Sequence, residues 1–438
     1  MNAPAVRLSA FAAAVNAAAR EGELVVQPRM GFPTVPGMRE GLLAVRGARA
    51  RTVGTVTLDS YTRVGDHASA RKALDTGADL NGFPLVAHGA AATRDMLAPV
   101  LGSAPTGRPF AVQVRHGSAN PFGIVETLLD AGLDATEGGP VSYCLPYSRT
   151  PLAEAVDAWA RSCELLAERS GGAAHMESFG GCLLGQLCPP GLLVAMAVLE
   201  GIFFRRHGLR SISLSYAQQT HPDQDAEALA ALRLLAGEYL ADTDWHVVLY
   251  TYMGVFPRTT PGALALLRSS AVLAARTGTE RLIVKTPAEA HRIPTVEDNV
   301  RALEEAAAQA ARARGAVHRP VEHGEFGVLA EARTLVESVL ELGSEIGPAL
   351  VEAFRRGCLD VPYCLHADNA GRSRSFIDAR GSLQWRSAGA MPVRAAAGRS
   401  AGPLRAEDLI GMLSHVQQGF DRAAVEPAPG PRSTPLAA

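Results

Sequence analysis

The residues best suited to chemistry concentrate in one stretch, residues 134–149, which reads DATEGGPVSYCLPYSR. It contains an acid, Glu137, beside two glycines, followed by Tyr143 and Tyr147. Glycines permit sharp turns and close approach of a ligand, and tyrosine hydroxyls donate hydrogen bonds. Because folding alone explains so dense a polar run poorly, we interpret this stretch as part of a binding site.

Arginines follow three other predicted strands. Arg29 follows LVVQP, Arg63 follows TLDSYT and Arg115 follows AVQV. In a parallel barrel the carboxyl ends of the strands converge on the face that carries active sites, so three guanidinium groups would meet there. Such a cluster suits a multiply anionic ligand, because each guanidinium grips a carboxylate or phosphate with two hydrogen bonds. Alternatively, each arginine reaches water or pairs with a carboxylate at the rim.

An acid beside three arginines stays ionised and could bind an ammonium group. Glu137 and the arginines together therefore describe an amino acid with more than one carboxylate. Tyr143, Tyr147 and His116, which directly follows Arg115, could donate further hydrogen bonds. The alternative is that the tyrosines pack at the rim with their hydroxyls in solvent and that the histidine is structural.

Lys285 and Glu289 stand four residues apart in RLIVKTPAEA, at a strand end and a helix start. A pair with this spacing is usually a surface ion pair. A lysine at the end of a barrel strand could instead form a Schiff base, as in an aldolase or a pyridoxal phosphate enzyme. The residues alone leave both interpretations open.

Composition excludes several classes of protein. The chain has 438 residues, a net charge of −2 and a pI of about 6.6, which gives no electrostatic footprint for nucleic acid or an anionic membrane. No apolar run reaches the roughly 18–20 residues that span a bilayer. Near the N-terminus, the sequence pattern predicts a short surface helix rather than a signal peptide in the stretch LSAFAAAVNAAAREGE. Six cysteines without CxxC pairs indicate reduced cytoplasmic thiols, with neither disulfides nor a metal site.

Short apolar or β-branched runs alternate with Ala/Leu-rich runs of helical period from residue 22 to 290. This alternation predicts a parallel sheet with right-handed crossovers, and eight or nine repeats favour a closed (β/α)8 TIM barrel over an open sheet. No GxGxxG follows an early strand, which argues against a Rossmann fold. The strand candidates are ELVVQ (23–27), RTVGTVTLD (51–59), FPLVAH (83–88), FAVQV (110–114), the segment at 134–137, AHMESF (174–179), SISLSY (211–216), HVVLYTY (246–252) and RLIVK (281–285).

The pattern changes past residue 295. We expect an N-terminal helix within 1–22, the barrel over 23–295, and an appendage over 296–400. In the appendage, helices at roughly 296–314 and 325–356 precede an irregular Gly/Arg/Ser-rich stretch. For residues 401–438 we expect a short helix and then a Pro-rich tail, whose composition is typical of disorder.

Nine segments, in order over roughly residues 24–365, together resemble the epsilon chain of adenosylcobalamin-dependent glutamate mutase (methylaspartate mutase). They are QPRMGF, TLDSYTR, LNGFPLVAHG, FAVQVRHG, ATEGGPVSYCLPYSR, HMESFGGCLLGQLCPP, ISLSYAQQT, VKTPAEAHRIPT and GCLDVPY. The resemblance implies a (β/α)8 isomerase that interconverts L-glutamate and (2S,3S)-3-methylaspartate. It implies radical chemistry: a 5′-deoxyadenosyl radical removes hydrogen from C4 of glutamate, and the substrate radical fragments to a glycyl radical and acrylate that recombine.

The resemblance also implies roles for individual residues. Arg29, Arg63 and Arg115 match the arginines that hold the two substrate carboxylates, and Glu137 matches the acid and base at the substrate amino group. Glu137 and Arg63 are the predicted catalytic residues. The matches to further substrate contacts are Tyr143, Tyr147 and His116, and the matches to positions around the coenzyme are Gly31, Pro146, Phe256, Lys285, Glu289 and Ile293. These assignments disfavour a Schiff base at Lys285.

The chain also departs from the family pattern. It has no DxHxxG motif, so a separate small cobalamin-binding subunit with that motif must supply the histidine that ligates cobalt. We expect a homodimer of this chain within a heterotetramer. Ala87 stands where asparagine is expected, which removes one coenzyme contact, and the match is poor after Asp360. The alternative functions are a TIM-barrel lyase or aldolase acting on an anionic amino acid, and a non-catalytic scaffold homologue.

Overall fold

The chain folds around a barrel of eight short parallel strands. A computed structural model describes residues 8–101, 107–183, 186–314, 324–396 and 404–425. The strands of the barrel are β1 Val25–Pro28, β2 Gly54–Thr57, β3 Val112–Arg115, β4 Ala135–Gly138, β5 His175–Ser178, β6 Ser211–Ala217, β7 Asp244–Tyr250 and β8 Arg281–Val284. Most of their residues are buried on both faces, as expected for a parallel sheet covered by helices.

The strands lie in the order β1-β8-β7-β6-β5-β4-β3-β2. The two ends of this sheet meet, because Val26 of β1 bridges to Thr52 in parallel and its N–H donates to the Arg51 carbonyl at 2.9 Å. The Thr57 N–H also donates to the Met30 carbonyl at 2.9 Å. The prediction of an α/β fold with a (β/α)8 barrel is confirmed.

The helices of the chain include one that precedes β1 and others that follow the strands and pack around the barrel. They are α1 Ala10–Arg20, α2 Val35–Gly47, α3 Ser60–Arg63, α4 His67–Thr76, α5 Leu85–Leu101, α6 Phe122–Asp130, α7 Leu152–Ser170, α8 Pro190–Arg206, α9 Pro222–Tyr239, α10 Thr260–Thr277, α11 Val296–Arg314, α12 Val328–Leu340, α13 Ile346–Arg356, α14 Ala406–Leu413 and α15 His415–Val425. Within the described parts of the chain, no helix is both long and apolar enough to cross a membrane.

One strand prediction is wrong. Residues 83–88 contribute only an isolated bridge from Phe83 to Leu58, and helix α5 begins at Leu85. The Pro84 carbonyl accepts the His88 N–H at 2.9 Å, which is the first turn of that helix. The fixed φ of proline suits a helix start, and its missing N–H weakens a strand.

The N-terminal helix differs from the surface helix that we expected. In α1, Phe11, Ala14, Val15 and Ala18 are buried and pack against residues at the starts of several barrel strands. The ring of Phe11 stacks on His175 inside the barrel with a centroid separation of 5.1 Å. The helix therefore closes the amino-terminal end of the barrel.

The region after the barrel is more regular than its composition suggested. The helix predicted at 325–356 is two helices, α12 and α13, separated by a turn that contains Gly343 and Ser344. Within the predicted irregular stretch, β9 Arg374–Ile377 and β10 Leu383–Ser387 form an antiparallel hairpin. Trp385 Nε1 fixes this hairpin by donating to Glu331 of α12 at 2.9 Å. The predicted disordered tail lies, from residue 426 on, outside the described residues.

Candidate functional site

The three arginines occupy the carboxyl-terminal end of the barrel. Arg29 directly follows β1, and Arg115 is the last residue of β3. Arg63 differs from the prediction that it ends a strand: it is the last residue of the one-turn helix α3, which follows β2. The Asp59 side chain caps this turn by accepting backbone N–H groups at 2.9 and 3.0 Å. A capped turn holds Arg63 more firmly than a free loop would.

One cavity of about 270 Å³ brings the predicted substrate-binding residues together. They come from the ends of several strands and from the loops after β2 and β4. The cavity is lined by Arg29, Arg63, Arg115, His116, Glu137, Tyr143 and Tyr147, together with Thr57, Gly117, Phe179 and Met253. We call this the arginine cavity.

The protein uses only part of the hydrogen-bonding capacity of these guanidinium groups. Arg63 Nε donates to the Leu58 carbonyl at 3.0 Å, and Arg115 Nε donates to Glu137 at 2.7 Å. The Nη atoms of Arg63 and Arg115 make no hydrogen bond to any described residue. Burial lowers the pKa of Arg63, and the charges of Arg115 and Arg29 lower it further. A bound anion would relieve this mutual repulsion.

Glu137 is the buried acid of the arginine cavity. Its Oε2 atom accepts from Arg115 and, at 2.7 Å, from the Tyr250 hydroxyl, and its Oε1 atom accepts from the Tyr143 hydroxyl. Burial, and then the charge of Glu137, hold the pKa of Tyr143 well above its usual range, so this hydroxyl keeps its proton. A carboxylate offers about four lone-pair positions. Arg115 and Tyr143 occupy one position each and Tyr250 can occupy a third, so one position on Oε1 stays open for a ligand.

Sequence reasoning missed Tyr250 as a site residue. Its hydroxyl lies between two buried carboxylates and contacts both Glu137 and Glu177. Since it has a single hydrogen, it can donate to only one of them at a time. Its place near the end of β7, on an inward-facing position, was the available signal. Phe179, Met253 and Thr57 were also missed, and they add mostly apolar wall to the cavity.

His116 is a neutral group in this site. Burial, and then the charges of Arg63 and Arg115, lower its pKa to about 3, against a smaller opposing effect of the Glu137 backbone. Nδ1 accepts the Ser118 N–H at 3.0 Å. The ring proton must then sit on Nε2, which is buried and makes no hydrogen bond within the described residues. Nε2 is therefore a buried donor, and His116 lines the arginine cavity.

A second cavity of about 600 Å³ adjoins the first and shares Arg29, Thr57 and Arg63 with it. Three of the six predicted coenzyme-binding residues line it: Gly31, Glu289 and Ile293. A Cβ atom on Gly31 would lie 2.3 Å from the Thr57 carbonyl oxygen, so only glycine fits there. We call this the rim cavity.

Lys285 and Phe256 do not line the rim cavity. Lys285 contacts Glu289, and Phe256 contacts Lys285. Lys285 Nζ lies 3.9 Å from Glu289 and 4.3 Å from the centroid of the Phe256 ring. Burial lowers the pKa of Lys285 to about 8, although Glu289 opposes this shift. Glu289 also accepts from Arg29 at 3.1 Å, which links the two cavities. Pro146, the sixth residue of the set, is half-buried beside Tyr147.

A closed parallel barrel with a cationic cavity at the carboxyl ends of its strands defines a (β/α)8-barrel enzyme architecture. The arginine cavity combines three arginines with one buried acid. The rim cavity adds Glu289, which pairs with Arg29 and with the buried Lys285.

Comparison with known proteins identifies the family. The model of the methylaspartate mutase E chain matches residues 7–401. The glutamate mutase epsilon subunit of Escherichia coli O157:H7 is 30% identical over 400 residues, which cover 87% of this chain and 81% of that protein. The epsilon subunit of Desulfitobacterium hafniense (strain Y51) is 31% identical, covering 85% and 78%, and that of Halobacterium salinarum is 31% identical, covering 78% and 72%. The chain belongs to the methylaspartate mutase E chain family, which confirms the predicted family and enzyme class.

Proposed function

We propose that this chain binds L-glutamate and 3-methylaspartate in the arginine cavity and provides the catalytic site for their interconversion. The observation that carries this proposal is the convergence of Arg29, Arg63 and Arg115 on one cavity that also holds Glu137. The reaction rearranges a carbon skeleton, so the protein must above all position reactive fragments and exclude water.

The arginine cavity has the charge that a dicarboxylic amino acid requires. Three guanidinium groups, set against Glu137 and against the Glu289 that pairs with Arg29, leave an excess of one positive charge, which matches the net charge of −1 of a dicarboxylic amino acid with an ionised amino group. The unoccupied Nη atoms of Arg63 and Arg115 can grip a carboxylate with paired hydrogen bonds. Because the forks are held by Leu58 and Glu137, both carboxylates would stay in place while the bond between the carbon atoms is rearranged.

Glu137 is the group that would hold the substrate ammonium. Its remaining lone pair on Oε1 can accept one N–H, and the site lies away from bulk water, where such a bond is stronger. If the amino group loses a proton during the reaction, Glu137 is the base placed to receive it. Tyr143 and Tyr147 stand at the same wall, and the His116 Nε2–H group can donate to a carboxylate oxygen.

The residues around the rim cavity fit the adenosyl part of adenosylcobalamin. Its volume of about 600 Å³ lies within the range of roughly 300–1,000 Å³ typical of ligand sites. The Glu289 carboxylate, which forms an ion pair with Lys285, can accept hydrogen bonds from ribose hydroxyls, while Gly31 and Ile293 provide contact surface. When bound, the coenzyme supplies the radical that starts the reaction. The shared wall of Arg29, Thr57 and Arg63 keeps the two ligands adjacent.

The chain requires a partner subunit that binds cobalamin. The relatives are named as subunits, and the sequence carries no DxHxxG motif. We propose that a small cobalamin-binding subunit docks on the carboxyl-terminal face of the barrel and that two copies of each subunit form a heterotetramer. We place the complex in the cytoplasm, in keeping with six free cysteines.

The test combines the purified chain with a cobalamin-binding subunit that is active with a known epsilon subunit, adenosylcobalamin and L-glutamate. We expect 3-methylaspartate, detected by chromatography, and no product when the coenzyme or the partner is omitted. Absence of product with the competent partner would contradict the proposal. A lyase or aldolase would instead give a borohydride-trapped adduct at Lys285, which does not line the arginine cavity. A scaffold homologue would bind the partner without binding the coenzyme.

A further inference from the structure

The loop between β7 and α10, residues 251–259, serves both cavities. Met253 lines the arginine cavity. Three residues on, the ring of Phe256 lies under Lys285 Nζ, which in turn pairs with Glu289 on the wall of the rim cavity. Met253 thus ties the first part of the loop to the arginine cavity, and Phe256 ties the later part, next to Arg258 and Thr259, to the rim cavity.

The C-terminal helix α15 holds this loop by its backbone. Asp421 Oδ2 accepts the Arg258 N–H at 3.0 Å, and Oδ1 accepts the Thr259 N–H at 3.0 Å and the Thr259 hydroxyl at 2.6 Å. Gln417 Nε2 donates to the same carboxylate at 3.1 Å. Bonds to an ionised acceptor are the stronger kind, and Thr259 is also the residue that caps α10.

The same helix packs against the side chains of the loop. Val416 and Phe420 of α15 belong to an apolar cluster with Tyr252 and Phe256. Phe256 is consequently buried between the helix and Lys285. A helix that fixes both the backbone and the aromatic side chain of a loop leaves it little freedom.

A second contact also supports the loop. Gln186 Oε1 accepts the Tyr252 hydroxyl and the Val255 N–H, each at 3.1 Å. A Cβ atom on Gly254 would lie 1.9 Å from this oxygen, so the close approach requires glycine. Both Gln186 and α15 thus hold the loop.

We propose that Asp421 is a positioning residue: α15, acting through Asp421, fixes Phe256 and so sets the affinity for the adenosyl group. This inference rests on the proposed function of the rim cavity. Helix α15 lies outside residues 7–401, the part that matches the family model. The contact therefore comes from a part of the chain that the family model does not match.

The first test is hydrogen exchange without coenzyme or partner, on full-length Asp421→Asn. The asparagine keeps one oxygen acceptor but turns an N–H toward the Arg258 N–H. We expect peptides within 251–262 to exchange about tenfold faster, since one charged hydrogen bond is lost. Gln417→Ala, which removes only the bond that orients the carboxylate, should give a smaller change. Arg422→Ala is the control, because its side chain bonds the Gln418 carbonyl of its own helix.

The second test measures coenzyme and substrate separately in the complex with the partner. In Asp421→Asn we expect the apparent KM for adenosylcobalamin to rise about tenfold, as for one lost charged hydrogen bond, while the KM for L-glutamate stays near wild type. Wild-type exchange in the loop, or an equal rise in both KM values, would overturn the inference. An inactive wild-type complex would count against the proposed function instead, and the exchange result would still decide whether α15 holds the loop.

Discussion

At the scale of single residues, the site is a set of charged groups whose own partners restrict how they can bind. Arg115 and Arg63 each use Nε for the protein and leave their Nη atoms unbonded within the described residues. Nδ1 of His116 is engaged by a backbone N–H, which puts the proton on Nε2. Donors fixed in this way can select a bound carboxylate by the direction of its hydrogen bonds as well as by its charge.

Arg63→Lys tests whether direction matters at Arg63. Lysine keeps the positive charge but loses both the paired Nη donors and the Nε–H bond to the Leu58 carbonyl. We expect kcat/KM for L-glutamate to fall by about 100-fold with an unchanged circular dichroism spectrum and melting temperature. Arg355→Lys, an exposed arginine on α13, is the matched control and should be neutral. Normal turnover by Arg63→Lys would show that the cavity needs only charge there.

At the scale of elements, helix α8 fixes the loop that carries Tyr143. Its buried Glu200 accepts the Val141 N–H at 3.2 Å and the Ser142 N–H at 2.9 Å, and both the Ser142 and Ser178 hydroxyls at 3.0 Å. A Cβ atom on Gly139 would lie 2.0 Å from the Glu200 carboxyl carbon, so the glycine allows this approach. Burial raises the pKa of Glu200 to about 7, although its four hydrogen bonds oppose the shift.

Glu200→Gln should change how stability depends on pH. The folded pKa of Glu200, about 7, is above its ordinary value of 4.5, so its protonated form favours folding. This contribution is complete below the ordinary pKa and is lost as the pH rises through about 7. From the size of this shift, we expect wild type to lose up to roughly 3 kcal/mol of unfolding free energy relative to Glu200→Gln between about pH 4.5 and 8. Urea denaturation of both proteins at several pH values measures it, and parallel curves would contradict it.

At the scale of the whole molecule, polar groups inside the barrel connect strands that are distant in sequence. Arg281 of β8 is fully buried and forms an ion pair with Glu177 of β5. It also donates to Gln27 of β1 and Ser213 of β6, and its guanidinium lies over the ring of Phe11, 5.0 Å from the centroid. The cluster therefore joins four strands and the helix that closes the barrel.

Arg281→Met should destabilise the barrel strongly. The substitution roughly preserves volume but leaves Glu177 buried without its cation, which costs about 3–5 kcal/mol. Chemical denaturation measures the loss. The double variant Arg281→Met/Glu177→Gln should recover part of it, because the unpaired charge is gone. A double variant no more stable than Arg281→Met would show that lost packing, rather than the charge, is responsible.

The sequence by itself determined the barrel and most of its active face. Periodicity along the chain and the residue that follows a strand are local properties, so eight of nine strand candidates and the strand-end positions of Arg29 and Arg115 could be predicted. The strand predicted at residues 83–88 was wrong because an apolar run that includes proline also starts a helix well. The single helix predicted at 325–356 was wrong because Gly343 and Ser344 interrupt it.

Only the tertiary structure decided which groups meet. Tyr250 contacts Glu137 across 113 residues of sequence, Arg29 contacts Glu289 across 260, and Asp421 contacts Thr259 across 162. Each contact depends on how the barrel closes and on where a terminal helix packs. Those outcomes follow from the summed burial of many side chains rather than from any local pattern. The burial of α1 against the barrel and the packing of α15 on the loop 251–259 have the same origin, which is why composition alone predicted only a surface helix near the N-terminus and only a short helix within 401–438.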